Sequence, residues 1–181
     1  RPPLAAIFDA IRTGIRRLRQ AARTNLELIL EPGRYLVADS GAIRAHVSRL
    51  SARQQRDGVR QPWLYLSCGR FNGLYEMDQL QYRLVFPGHT GGEYVPAVIA
   101  GPTCDGDDAF GPEHSRVLVP KAVASGDPVW ILSSGAYAVS YTTVGFNGFD
   151  PLPLTTTRKE ETDGVPDPAH SGTRLAQHRP A

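Results

Sequence analysis

Gly101-Pro102-Thr103-Cys104-Asp105-Gly106-Asp107-Asp108 holds one of the chain's two cysteines, three carboxylates within four residues and two glycines. A cysteine near its reference pKa of about 8.5 is a usable proton donor. A carboxylate is the group that offsets a buried ammonium. Glycine lets the backbone turn sharply, and rigid elements position the loops that carry chemistry. The octapeptide follows an apolar run, Tyr94 to Ala100, that reads as a strand. Taken alone, it reads equally well as a surface turn with a half-buried cysteine.

A second polar turn, Glu31-Pro32-Gly33-Arg34, follows the short apolar run Leu26–Leu30. Glu31 could accept a hydrogen bond from a protonated ring nitrogen. The Gly33 backbone and the Arg34 guanidinium could hold a phosphate. A structural Glu31–Arg34 ion pair accounts for the tetrapeptide equally. Three further places stand at strand ends or before proline-rich chain: Phe71-Asn72-Gly73-Leu74-Tyr75-Glu76-Met77-Asp78, Gly135-Ala136-Tyr137 and Phe146-Asn147-Gly148-Phe149. Each also reads as an ordinary loop whose aromatic packs on a core.

The elements that must position these residues change character along the chain. Leu4, Ile7, Phe8, Ile11, Ile15 and Leu18 recur at spacings of three and four, the apolar face of an amphipathic helix. Arg12, Arg16, Arg17, Arg19 and Arg23 crowd its far side and C-terminal turn, where cations suit the helix dipole. No aromatic interleaves them, so the reading is a solvated face rather than a nucleic-acid groove binder. Leu26–Leu30 is expected to be a strand buried on both faces, the last strand of an α/β unit. From Ile43 onward short strand-like runs follow one another: Ile43–Leu50, Trp63–Cys68, Gln79–Phe86, Tyr94–Ala100, Arg116–Val119 and Val129–Leu132. Their spacing, with turn-prone segments between, predicts an antiparallel sheet or barrel. The change from α/β to all-β places a domain boundary near Asp39–Gly41. Residues 1–40 are thus expected to end an α/β unit and 41–154 to form a β domain. Residues 155–181, rich in charge, proline and glycine, are expected to be a disordered tail.

Composition narrows the classes. At 181 residues the chain can bury a sizeable core, and 41% hydrophobic residues with 18 Gly and 15 Pro fit a turn-rich globular protein. A formal net charge of +2 argues for neither nucleic acid nor an anionic membrane as partner. No stretch approaches the roughly 20 apolar residues of a membrane helix. Cys68 and Cys104 show no metal-ligand spacing, so no metal site is expected and a reduced, cytoplasmic setting is the simplest inference.

Taken in chain order, five pieces together resemble one family. They are Glu31-Pro32-Gly33-Arg34, Phe71-Asn72-Gly73-Leu74-Tyr75-Glu76, Gly101-Pro102-Thr103-Cys104-Asp105-Gly106 with Asp108, Gly135-Ala136-Tyr137, and Phe146-Asn147-Gly148-Phe149. The family is the fold type III pyridoxal-phosphate decarboxylases of ornithine, lysine, arginine and diaminopimelate, and the resemblance covers roughly residues 24 to 154. It implies an enzyme that uses pyridoxal 5'-phosphate (PLP) to remove the carboxyl group of a basic amino acid. It also implies that the α/β unit of residues 1–40 is the end of an α/β barrel, and a homodimer whose active sites are shared across the interface. By this resemblance Glu31 is the acid that bonds the cofactor's ring nitrogen. Gly33, Arg34 and Tyr137 are phosphate-binding positions. Cys104 is the thiol that enters the neighbouring subunit's site and helps protonate the product carbon. Asp105 receives the substrate's distal amine, with Glu76 and Asp108 as further acids for that charge, and Phe146 lines the site across the interface.

Three departures accompany the resemblance. The only lysines are Lys121 and Lys159, neither in a matching motif. The lysine that binds the cofactor covalently is therefore expected upstream of Arg1, and this chain alone is expected to be inactive. Glu76 stands where an aspartate is usual, and the spacing from Tyr137 to Phe146 is one residue longer than the common form. Asp105 after the cysteine and the Phe-Asn-Gly-Phe run favour ornithine as substrate, then lysine, over diaminopimelate. A decarboxylase-like binding protein without catalysis, or an enzyme acting on a carrier-bound amino acid, are the alternatives.

Overall fold

The computed structural model describes residues 3–23, 25–110 and 117–157. They group into two compact units divided between Pro32 and Gly33, ahead of the Asp39–Gly41 boundary expected from composition.

In the first unit, the periodic apolar residues form helix α1 (Leu4–Ala22). Arg23 ends it in the left-handed region at φ 51°, and Arg19 donates from Nε and Nη2 to the Leu26 carbonyl. The strand expected at Leu26–Leu30 does not form, and Leu28, Ile29 and Leu30 are exposed. A strand needs a neighbour to take its N–H and C=O groups, and this unit has no second strand among the described residues.

The second unit opens with helix α2 (Gly33–Val37), where the sequence suggests only a turn, and a 3-10 turn, Ala38–Ser40. The strands are β1 (Ile43–Gln54), β2 (Arg60–Leu66), β3 (Arg83–Val85), β4 (Tyr94–Ala100), β5 (Val117–Pro120) and β6 (Pro128–Leu132). Arg116, the first residue of the run expected at β5, lies outside the described residues. The strands form one curled sheet in the order β3-β6-β1-β2-β4-β5. All pairs are antiparallel except β2 with β4, where Trp63, Leu64 and Tyr65 run alongside Val98, Ile99 and Ala100.

The curl originates in β1. Its first half pairs with β6 and its second half with β2, and the register slips between Val47 and Arg49. The extra residue changes which parity faces inward: Ala45 and Val47 are buried, then Leu50 is the next to pack on the core. Strand β3 is shorter than the Gln79–Phe86 run. The Glu76 carbonyl accepts from both Gln79 N and Leu80 N, so that part of the run is spent on a turn.

Val47, Leu64, Leu66, Ile99, Val119, Val129 and Ile131 fill the concave side, and Leu74, Phe110 and Met77 close over them. Replacing Leu64, which is fully buried, with alanine is expected to cost about 2–5 kcal/mol. Urea unfolding followed by tryptophan fluorescence measures it; a cost below about 1 kcal/mol would show that the core collapses around the cavity.

Candidate functional site

The loop after β4 is built on one carboxylate. Asp108 is 1% exposed. Its Oδ1 accepts from Arg70 N at 2.7 Å, and its Oδ2 accepts from Thr103 N at 3.0 Å and Thr103 Oγ1 at 2.6 Å. Its carbonyl takes Gly101 N at 2.8 Å. A buried charge is tolerated only when donors surround it, and here they come from Thr103 in the same loop and from Arg70 in the segment after β2. A Cβ at Gly69 or at Gly101 would collide with Oδ1, so both glycines are required by this close approach.

Cys104 projects from that loop. It is exposed, with φ 60°, and its Sγ lies 3.8 Å from the Pro102 carbonyl. Asp105 caps the 3-10 turn Gly106–Asp108, its Oδ1 accepting from Asp107 N at 2.8 Å. Phe146 packs on Phe71 with ring centres 4.3 Å apart. Asn147 donates from Nδ2 to the Thr103 carbonyl at 2.9 Å, tying the Phe146–Phe149 turn to the cysteine loop. Cys104, Asp105, Asp108 and Phe146 thus belong to one connected group.

Arg34, Glu76 and Tyr137 form another. Arg34 Nη2 donates to both oxygens of Glu76 at 2.6 Å. The Arg34 guanidinium lies 4.7 Å from the centre of the Tyr137 ring. Tyr137 stacks on Tyr141, and Tyr141 meets Tyr75 edge-on. A cleft of about 450 Å³ is lined by Tyr75, Glu76, Gln79 and Tyr141. The hydrogen bonds from Arg34 to Glu76 hold the guanidinium above its ordinary pKa, against the opposing effect of burial. Burial, then the Glu76 charge, raises the Tyr82 phenol, while Arg34 acts in the opposite sense.

The structure sorts the sequence candidates unevenly. Gly33 begins α2 with open space around it, and Glu31 is exposed in the other unit. The ion partner of Arg34 is Glu76, where the sequence also offers Glu31. The sequence offers Glu76 and Asp108 to a substrate amine as well. The first is paired with Arg34 and the second is sealed inside its loop. Arg70, Tyr82 and Tyr141 enter only with the structure, and Asn72 and Asn147, present in the sequence motifs, gain their roles only there. Asn72 is buried and accepts from Gly69 N at 2.6 Å, and Arg70 pairs with Asp78. Tyr141 follows Tyr137 by a helical-turn spacing, which is a signal, if a faint one, in the sequence. Lys121 is on the surface, paired with Glu93 at 3.0 Å. Lys159 and the expected tail beyond Thr157 lie outside the described residues. Among the described residues no His, Cys, Asp and Glu group is placed to hold a metal, and no helix is long and apolar enough to cross a membrane.

No protein-family model matches the chain. The decarboxylase flvG of Aspergillus flavus is 30% identical in an alignment of 155 residues that covers 78% of this chain and 36% of that protein. The structure of SrLDC in complex with PLP and cadaverine superposes with a TM-score of 0.63 at 28% identity, over 84% of this chain and 36% of the other. Lysine/ornithine decarboxylase of Vibrio vulnificus, complexed with cadaverine, gives a TM-score of 0.53 at 32% identity, over 65% of this chain and 30% of the other. The curled sheet matches the β-domain of these solved decarboxylases. The chain is a relative of the ornithine, lysine and diaminopimelate decarboxylases and matches their C-terminal β-domain. It spans about a third of the length of the relatives it matches.

The surroundings of the cysteine loop can be probed chemically. Burial, then the Asp108 charge, pushes the Cys68 thiol up to about 12. Cys68 therefore stays protonated through neutral and mildly alkaline pH. Iodoacetamide in mildly alkaline buffer is expected to label Cys104 in the folded protein and Cys68 only after unfolding, as peptide mass mapping would show. Asp108→Asn turns an amide NH2 or a neutral oxygen toward donors that now meet a carboxylate. The expected loss is about 2–4 kcal/mol of stability, read by urea unfolding; a neutral effect would remove Asp108 from its assigned place.

Proposed function

We propose that this chain supplies the β-domain of a PLP-dependent decarboxylase acting on a basic amino acid, ornithine first and lysine second. The observation that carries the reading is the Arg34 guanidinium fixed between the Glu76 carboxylate and the Tyr137 ring. Positions far apart in sequence there converge on a cation that can face a phosphate. Glu76 engages Nη2, and a guanidinium has further N–H groups on Nε and Nη1 that suit phosphate oxygens. The donor set therefore fits the phosphate of PLP, with Gly33, Arg34 and Tyr137 as its holders and Glu31 as the acid for the ring nitrogen. Bound there, PLP would supply an electron sink for the carbon that loses carbon dioxide.

The chain's own residues would do the rest. Cys104 is exposed and can deliver a proton to that carbon. Asp105, one residue on, is the acid best able to meet the distal ammonium. Its Oδ1 holds the turn and its Oδ2 carries no bond among the described residues. Phe146 gives the same group an apolar wall through its contact with Phe71. In this reading residues 1–40 are the end of an α/β barrel, residues 41–154 the β domain, and two subunits share each site, Cys104 serving the neighbour.

Carbon dioxide release from ornithine, lysine, arginine and diaminopimelate, with the full-length protein and added PLP, tests the proposal. Ornithine is expected to turn over fastest, and no release from any of the four rejects it. Cys104→Ala is expected to slow the reaction roughly 10²-fold or more. An unchanged rate with an unchanged product would take the proton-donor role from Cys104.

A further inference from the structure

We infer that Glu76 is a positioning residue for Arg34 and not a ligand for the substrate's distal amine. This rests on the reading of Arg34 as a phosphate holder and assigns the acid beside it.

Both Glu76 oxygens lie 2.6 Å from the same guanidinium nitrogen. The carboxylate side chain is only 15% exposed and that of Arg34 33%. An incoming ammonium would have to compete with a guanidinium already in contact. The backbone under Glu76 is also fixed. Its carbonyl accepts from Gln79 N and Leu80 N, both at 2.9 Å, and its neighbours Leu74 and Met77 are buried in the core. The carboxylate is therefore delivered to one place by a turn that the sheet anchors.

The other side of Arg34 is constrained as well. The Tyr137 ring covers the guanidinium face, and the Tyr137 carbonyl accepts from Tyr141 N at 3.1 Å. A planar guanidinium held by Glu76 at one nitrogen, by Tyr137 across one face and by the nearby Tyr82 phenol has little freedom left. Its remaining N–H groups then point in a fixed direction, which lowers the ordering cost of binding a phosphate.

The test is PLP titration of the cofactor-free full-length protein, followed by intrinsic fluorescence, for Glu76→Ala, Glu76→Gln, Arg34→Ala and Glu76→Ala with Arg34→Ala. Glu76→Ala is expected to weaken PLP binding about tenfold, the equivalent of one charge-assisted hydrogen bond. Glu76→Gln should recover part of this, because its amide oxygen still accepts from Nη2. The double variant should bind no more weakly than Arg34→Ala. The ratio of kcat/KM for ornithine to that for lysine should not move in Glu76→Gln. Thermal unfolding of each cofactor-free variant separates misfolding from weak binding, and the near-isosteric Gln variant carries the measurement if the Ala variant does not fold. Unchanged or tighter PLP binding in the Glu76 variants overturns the inference, as does a raised KM for the amine alone. Unchanged PLP binding in Arg34→Ala overturns the phosphate role of Arg34 itself, a distinct result.

Discussion

The structure depends on burying one charge and surrounding it. Asp108 collects two backbone N–H groups and a hydroxyl on its two oxygens, in a place where a carboxyl group without donors would be costly to bury. Satisfying it dictates the course of the backbone at Gly69, Arg70, Gly101 and Thr103 at once. Because those residues follow β2 and β4, the parallel pair of the sheet, the carboxylate locks two strand exits together. Cys104 is left exposed on the outside of the same loop.

The segment from Arg70 to Asp78 is shared between two groups of functional candidates. Toward one side, Arg70 and Phe71 meet Asp108 and Phe146. Toward the other, Tyr75 and Glu76 meet Tyr141 and Arg34. Between these contacts Asn72, Leu74 and Met77 are buried, so the segment is held by the core along its length. One connector thereby ties the cysteine loop to the group around Arg34.

The two cysteines illustrate how environment divides one chemistry. Cys68 and Cys104 are the same thiol in composition. Cys68 sits in the core within reach of the Asp108 charge and is held protonated, whereas Cys104 is in solvent reach.

Strand positions were legible because alternating or continuous apolar runs have no cheaper way to be buried: Tyr94–Ala100 matches its expected span, and β1, β2, β5 and β6 overlap their runs. The helix Leu4–Ala22 was legible from its periodicity. The ordered motifs also sufficed to single out the kinship with amino-acid decarboxylases. What the sequence could not decide was pairing. Leu26–Leu30 has the composition of a strand but no neighbouring strand within its unit, among the described residues, to complete its hydrogen bonds. Likewise Glu31, Glu76, Asp105 and Asp108 are all carboxylates in suggestive places, and local sequence ranks none above another. Tertiary packing alone gave Glu76 to Arg34 and enclosed Asp108 while leaving Asp105 accessible, because the partner of a charge is set by what the folded sheet brings within about 3 Å of it.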